Sequence, residues 1–208
     1  MWKVVTSGDL GSKPLTVHLS AAASSPEAGP QAAPAILDFW FVQAGRAKWF
    51  VKDAAFDRAI AERFERLRMA VLGSRAAGWR DTPDALLAAV ILLDQYSRNV
   101  HRGSARAFGG DAVALELAKL ALDRGWTHAA APDHRHFLLL PLMHSEVLAD
   151  QDRSVAEFEA LGNDDLLDYA HRHRDQILRF GRFPGRNRAL GRVSSAEEMA
   201  AIAAGEGF

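Results

Sequence analysis

The chain has 208 residues, of which 49% are apolar and 25% charged, and it contains no cysteine. This composition is typical of a soluble globular protein, and the missing cysteine excludes disulfides, thiolate catalysis and zinc–sulfur sites. The formal net charge of −1 excludes a surface that is basic throughout, so any basic site has to be local. No apolar run approaches the ~20 residues that span a bilayer, and no signal peptide is predicted, which favours a cytoplasmic protein without membrane contacts.

The first 35 residues differ from the rest of the chain. Residues 20–34 are rich in alanine, serine, proline and glycine and contain almost no side chain that a core could bury. Such a composition is typical of flexible segments. We therefore predict a flexible leader or linker over residues 1–35 and a single all-α domain over residues 36–208.

The beginning of this domain predicts two helices. The large apolar side chains of residues 36–41 favour a buried first helix. Asp53 is a good N-cap for the second helix. Apolar side chains then recur at helical spacing as far as Gly73, where we expect this helix to end.

The third helix is expected at the centre of the fold. The Thr-Pro-Asp sequence at 82–84 is a start signal, because it combines a cap, a proline in the first turn and an acid at the positive end of the helix. Residues 83–97 are mostly apolar and only the last turn is polar. In that turn Asp94 precedes Arg98 by four residues, the spacing at which an acid and a base pair on one helix face.

Five further helices are predicted in the second half of the chain from glycine, proline and capping residues. Proline inside a helical pattern interrupts the backbone hydrogen bonds, so we expect a kink or a restart where it occurs. The predicted helices are 112–124, one that begins at Pro132 and is kinked at Pro141, a short helix 152–161, a helix 164–180 capped by Asn163, and a helix 195–204 with a capping box of Ser194 and Glu197.

No segment after residue 35 alternates between apolar and polar residues over a useful length. The pattern therefore predicts an all-α array of antiparallel helices with short loops. An Arg-Asn pair follows a helix end twice, at 98–99 and at 186–187, each time behind an aromatic residue. Two such copies are a weak indication of a repeat architecture.

Seven arginines lie between residues 172 and 192, and Asp175 is the single acidic residue among them. One interpretation is a solvated charged face with structural ion pairs, for example to Asp94, Glu146 or Asp150. The other is a pocket for a carboxylate, a phosphate or a nucleic-acid backbone, since guanidinium groups bind such anions in a planar fork.

The histidines do not have the spacing of metal ligands. The pairs at 134/136 and 171/173, and likewise His144 with Glu146, are two residues apart, which directs the two side chains about 200° apart on a helix. We predict no metal and no cofactor. His173 lies on the apolar stripe of helix 164–180 and is either a core histidine or a base in a pocket.

Several motifs, in this order, resemble the family catalogued as domain of unknown function 924. They are FWF (39–41), WFVKDAAFD (49–57), LLDQYSRN (92–99), RAFGGD (106–111), LPLMHSE (140–146), DQDRSV (150–155) and HRDQILRFGRFPGRN with ALGR (173–192). The resemblance runs from about Ile36 to Glu198. It implies a tetratricopeptide-like fold of helix pairs, a family widespread in bacteria, and no established activity.

The resemblance also implies which residues are special. The chain departs from the family pattern at two places: Tyr96-Ser97 stands where the family has Phe-Pro, and Gly185 stands where it has histidine. A catalytic role of that histidine is therefore excluded in this chain. The implied residues are Asp94, Arg98, Asn99, His144, Glu146, His173, Arg179, Arg182, Arg186 and Asn187.

These residues lead to three hypotheses. The first is a binding module whose groove takes an anionic small molecule or peptide; its predicted ligand-binding residues are Asp94, Arg98, Asn99, Arg179, Arg182, Arg186 and Asn187. The second is a small cofactor-independent enzyme in which arginines hold the substrate; its candidate acid–base residues are Glu146, His173 and His144. The third is RNA binding through residues 172–192, which the net charge disfavours. The oligomeric state is not predicted.

Overall fold

A computed structural model describes residues 29–206 of the chain. All regular structure in this range is helical, which confirms the predicted all-α class. The tetratricopeptide-like pairing stays a prediction. Most of the predicted leader lies outside the described residues. The first α-helix begins at Ala33, earlier than the expected Ile36, because Ala32 and Ala33 are already buried in the core.

The described range contains ten α-helices. They are α1 Ala33–Leu37, α2 Ala54–Gly73, α3 Pro83–Val90, α4 Ser97–Val100, α5 Asp111–Asp123, α6 Trp126–Ala129, α7 Pro132–Met143, α8 Leu148–Glu159, α9 Asp164–Phe180 and α10 Ala196–Ala203. Two π-helical segments, Asp38–Ala44 and Ile91–Tyr96, extend α1 and α3. Short 3₁₀ turns occur at Pro30–Ala32, Ala105–Ala107 and Pro184–Arg186.

Three predicted helix starts are confirmed by the hydrogen bonds of their caps. The carboxylate of Asp53 accepts hydrogen bonds from the first turn of α2, at 2.9 and 3.1 Å. The hydroxyl of Thr82 accepts one from the first turn of α3, and the amide oxygen of Asn163 accepts one from that of α9. At its other end α9 stops at Gly181, which has a left-handed φ of 68°, as the C-terminal glycine signal predicts.

The third helix is central, as its composition predicts. Every residue from 85 to 97 is buried, and α3 packs against α1, α5 and α7. The expected continuous helix 83–97 is in fact divided into α3, the π-helical segment Ile91–Tyr96 and α4. The hydroxyl of Ser97 donates to the carbonyl of Leu92, five residues earlier, at 3.3 Å. Hydrophobic periodicity does not reveal such a wide turn, since it occupies less than two turns of helix.

The expected boundary between the helices around residue 150 was wrong. Helix α7 includes the buried Pro141 and ends at Met143, and α8 begins at Leu148 rather than at 152. The side chain of Gln151 explains the turn between them, because its amide donates to the carbonyls of Met143 and Ser145 at 2.7 and 2.6 Å. These carbonyls have no partner inside a helix, so Gln151 stabilises the helix end.

The capping box of the last helix is shifted by one residue from the prediction. Ser195 and Glu198 form it, rather than Ser194 and Glu197. The capping box with Glu198 is the more stable one, because the buried Glu198 also accepts hydrogen bonds from Arg182, at 2.6 and 2.9 Å. A tertiary contact therefore decided between two local solutions.

Gly110, immediately before α5, lies against the backbone of Leu93. A Cβ added at this glycine would lie 3.0 Å from the carbonyl carbon of Leu93 and closer still to its oxygen. We therefore expect Gly110→Ala to lower the free energy of unfolding by about 1–3 kcal/mol, since overpacking against backbone forces the two elements apart. Urea unfolding measures this loss.

The matched control for this substitution is Gly73→Ala. Gly73 is the last residue of α2, and a Cβ there would meet nothing within 4 Å. We expect the control to be neutral or stabilising by up to about 1 kcal/mol, because alanine is the better helix former. Equal stability of the two variants would show that Leu93 and Gly110 can separate at no cost.

Candidate functional site

Five charged or polar side chains from distant parts of the sequence meet at one place. Asp94 lies in the π-helical segment, Arg98 in α4, Asp111 at the start of α5, His144 directly after α7, and Arg186 in the last 3₁₀ turn. We call these five residues the ion cluster. Their positions follow from helix ends, since each residue lies where a helix begins, ends or changes its winding.

Arg98 joins the two carboxylates of the cluster. Its guanidinium lies 2.9 Å from Asp94 Oδ1 and donates to both carboxylate oxygens of Asp111, at 2.9 and 3.0 Å. The predicted pairing of Asp94 with Arg98 is therefore confirmed. The two carboxylates raise the pKa of Arg98 although its burial acts in the opposite direction, so this residue stays charged.

Asp94 is fully buried and anchors His144. Its Oδ1 lies 2.7 Å from Nδ1 of His144, and its Oδ2 accepts a hydrogen bond of 2.6 Å from Gln95. Burial by itself would raise the pKa of Asp94, but Arg98 and His144 hold this pKa well below its ordinary value. The carboxylate is thus ionised and orients the imidazole, as a carboxylate does in a catalytic Asp–His pair.

Arg186 is the least compensated charge in the cluster. Its guanidinium donates to Asp111 Oδ2 at 3.2 Å and to the carbonyl of His144 at 3.0 Å, and it lies over the rings of Phe108 and Phe183, at 4.9 and 4.3 Å from their centres. Its side chain is only 8% exposed. Burial and the nearby Arg98 lower the pKa of Arg186 to about 10.

Glu146, a candidate acid–base residue, is already engaged. Its carboxylate accepts hydrogen bonds of 2.7 and 3.0 Å from Arg192 and one of 2.8 Å from the backbone of Phe183. Burial opposes the shift, yet Arg192 and the Phe183 amide lower the pKa of Glu146. This residue fixes the loop that carries Arg186, because both of its partners lie on that loop.

His173, the second candidate, lies behind the cluster. Its Nδ1 is 2.7 Å from the carbonyl of Tyr169, and its ring is 5.6 Å from that of Phe183 and 6.1 Å from that of His144. Burial, and next the neighbouring His144, lower the pKa of His173 to about 3. It is therefore neutral, and it fits the description of a core histidine in contact with the site. His144, the third candidate, is the one that belongs to the cluster itself.

Four of the predicted ligand-binding residues lie outside the ion cluster. Arg182 and Asn187 bind the buried carboxylate of Glu198, and Arg179 binds Glu197 and Glu206. These contacts hold α10 and the chain after it against the end of α9. Asn99 accepts a hydrogen bond of 3.4 Å from the exposed Arg102. The side chains of these four residues have partners outside the ion cluster, and their role in ligand binding stays a prediction.

Three residues that contact the site are not predicted from the sequence. Asp111 and Phe108 lie in the RAFGGD motif, and Arg192 ends the ALGR motif. Asp111 could have been found from its position after Gly109 and Gly110. Glycines allow another backbone segment to approach closely, so an acid directly after them lies near a second element. Within residues 29–206, no three side chains of His, Asp and Glu are arranged to hold a metal ion, and no helix could cross a membrane.

Comparisons with known proteins agree with the resemblance. Residues 36–206 match a family described as bacterial protein of unknown function (DUF924). The fold is similar to the solved structure of a protein of unknown function, ATU0120, from Agrobacterium tumefaciens, with 40% sequence identity and a TM-score of 0.78. That similarity covers 83% of this chain and 97% of the other chain. No curated protein matches.

Proposed function

The chain belongs to DUF924, a bacterial family of unknown function, and from this premise we propose that it binds a small molecule with a carboxylate or phosphate group at Arg98, His144 and Arg186. The observation that carries the proposal is the state of Arg186. Within the described part of the chain, hydrogen bonds use two of its five N–H donors. A guanidinium of such low exposure that shares its carboxylate partner with a second arginine is poorly compensated, and a bound anion would add hydrogen bonds to it.

The hydrogen-bonding partners of the two arginines support an anion rather than a cation. Arg186 has Asp111 as its carboxylate partner and shares it with Arg98, whereas Asp94 is taken by Arg98, His144 and Gln95. Anions bind to guanidinium groups by short, charge-assisted hydrogen bonds that are stronger in a poorly solvated site. The rings of Phe108 and Phe183 lie against the guanidinium of Arg186. They keep water away from it and so strengthen its hydrogen bonds to an anion.

The exposure of the cluster supports a small ligand. The side chains of Arg98, Asp111 and His144 are 20%, 22% and 13% exposed, so only their edges reach the surface. Such limited exposure fits one anionic group and not an extended polymer. The other arginines between 172 and 192 support the same conclusion, since most of them are paired with carboxylates and do not form an uncompensated strip for RNA.

The test is a stability titration with sulfate, inorganic phosphate and succinate against sodium chloride of equal ionic strength. We expect one or more of these anions to stabilise the protein, by about 1.4 kcal/mol at a concentration ten times the Kd. Arg186→Gln should abolish the effect, and Arg186→Lys, which keeps the charge but not the fork, should weaken it.

The matched control is Arg179→Gln. Arg179 is half exposed and bound to Glu197 and Glu206 on the surface, so its removal should leave the response to anions unchanged. Equal loss of the response in Arg179→Gln and Arg186→Gln would show that the anions act through general charge screening, and the proposal would then be abandoned.

The second candidate function is acid–base catalysis, which the contact between Asp94 and His144 specifically favours. In this alternative Nε2 of His144 removes a proton from a water molecule that attacks an anionic substrate held by the arginines. The enzyme hypothesis thus rests on His144 and not on Glu146 or His173. Hydrolysis of mono-p-nitrophenyl succinate above background, retained in Arg179→Gln and lost in His144→Gln, would favour it; equal rates in wild type and His144→Gln would remove it.

A further inference from the structure

The second nitrogen of His144 decides how an anion can be held in the cluster. Nδ1 of His144 lies 2.7 Å from the ionised carboxylate of Asp94. Because a carboxylate only accepts hydrogen bonds, Nδ1 carries the proton in the neutral ring, and Nε2 is then an acceptor. An anion is also an acceptor. A hydrogen bond between Nε2 and the anion therefore requires a second proton on the ring.

We propose that the anion enters the ion cluster together with one proton, which His144 takes up on Nε2. The inference rests on the proposed function and specifies what the site binds: an anion whose charge is balanced by an imidazolium. The protonated ring would donate from Nδ1 to Asp94 and from Nε2 to the anion, so both of its donors would be used.

The charge balance of the cluster also favours protonation of His144 when an anion binds. The two carboxylates, Asp94 and Asp111, equal the two guanidiniums, Arg98 and Arg186, in number. An added anion would leave a net negative charge in a region of low exposure, and such a charge is costly unless it is compensated. Protonation of His144 compensates it without moving a side chain.

The other groups that face His144 do not take this proton. His173, on α9, and His136, on α7 itself, are buried, and burial lowers the pKa of each, to about 3 and to about 4. Glu146, on the following loop, is bound to Arg192. The pKa of His144 is lowered by burial and then by Arg98 and Arg186. An anion that screens these two guanidiniums removes part of that repulsion.

The experiment is a titration of the histidine rings by NMR, with and without sulfate as the probe. Sulfate carries no titratable proton near neutral pH, so all proton uptake belongs to the protein. We expect saturating sulfate to raise the pKa of His144 by about 1 or more, and sulfate affinity to fall by up to about tenfold for each pH unit above the pKa of the free protein. The exposed His171 on α9 is the internal control and should not respond.

Two outcomes overturn the inference, and they are distinguishable. If sulfate perturbs the resonances of Arg186 but leaves the pKa of His144 unchanged, the anion binds without a proton, and only the proposed function survives. If sulfate, phosphate and succinate all leave both residues unperturbed, the proposed function fails as well. His144→Gln assigns the resonance, and its sulfate affinity should be independent of pH. Titration of the folded wild-type protein gives the answer even if that variant is unstable.

Discussion

Asp111→Asn is expected to lower the free energy of unfolding by about 3–5 kcal/mol in dilute buffer, because removal of one partner leaves buried charge uncompensated. The Asp111 carboxylate accepts two hydrogen bonds from Arg98, at 2.9 and 3.0 Å, and one of 3.2 Å from Arg186. Asparagine has nearly the same size, so the loss reports charge and not a cavity. Urea unfolding at low ionic strength measures it.

The same variant also tests the proposed anion site. With Asp111 neutral, both guanidiniums lack part of their compensation, and an added anion should be bound more tightly than in wild type. We expect sulfate to restore a larger share of stability in Asp111→Asn than it adds to the wild-type protein. Asp168→Asn is the matched control, because Asp168 is exposed and lies 3.9 Å from Arg172; it should change stability by less than about 1 kcal/mol.

A small loss would contradict the electrostatic description of the cluster. If Asp111→Asn is as stable as Asp168→Asn in every buffer, the guanidiniums of Arg98 and Arg186 are compensated by solvent. A bound anion would then have no uncompensated guanidinium to neutralise.

Acid is expected to destabilise the protein well above the pH at which carboxylates titrate. His136 and His173 are each 7% exposed, and burial is the first cause that lowers their pKa values, to about 4 and to about 3. The unfolded chain has an ordinary histidine pKa near 6.5, so it binds protons that the folded protein does not. Stability is therefore complete above the unfolded pKa and is lost as the pH falls towards the folded values.

The expected loss is about 4 kcal/mol between pH 8 and pH 5, with a slope near pH 5 of about 2.7 kcal/mol per pH unit for the two histidines together. Below that range the depressed pKa of Asp94 extends the loss, since its carboxylate stabilises the fold only while it is ionised. Urea unfolding at a series of pH values gives this profile directly.

Two substitutions measure how much each buried histidine contributes to the pH dependence of the free energy of unfolding. His136→Gln and His173→Gln should each reduce it by up to about 1.4 kcal/mol per pH unit, since each histidine contributes at most one proton. His171→Gln is the control, because His171 is exposed on the same helix as His173, and its slope should match that of wild type. A flat profile from pH 8 to pH 5 in the wild-type protein would show that both buried rings are protonated in the folded state.

The sequence alone was sufficient for the all-α class and for several helix boundaries. Helix α9 has the predicted bounds of 164–180 because its cap, Asn163, and its terminal glycine, Gly181, act within one turn of the helix. The central position of α3 also followed from the sequence, since a helix that is apolar on all sides has to be buried. The pairing of Asp94 with Arg98 followed from a spacing of four residues.

Local sequence patterns were insufficient wherever a tertiary contact selected between two local alternatives. Glu197 and Glu198 both have the right distance from a serine, and the contact of Glu198 with Arg182 selected the second. The π-helical segment Ile91–Tyr96 and the early start of α8 likewise depend on hydrogen bonds from Ser97 and Gln151. These interactions link backbone and side chains in a way that apolar periodicity does not record.

The sequence determined which chemical groups are present, namely an excess of arginines near the C-terminus, acids at helix ends and histidines next to them. Only the tertiary structure decided which of them meet. It paired Arg179 and Arg182 with α10, and it brought Arg186 to Asp111, 75 residues away in the chain. The physical reason is that a charge is neutralised by whatever lies within a few ångströms of it, and that distance is set by the packing of helices and not by their order in the sequence.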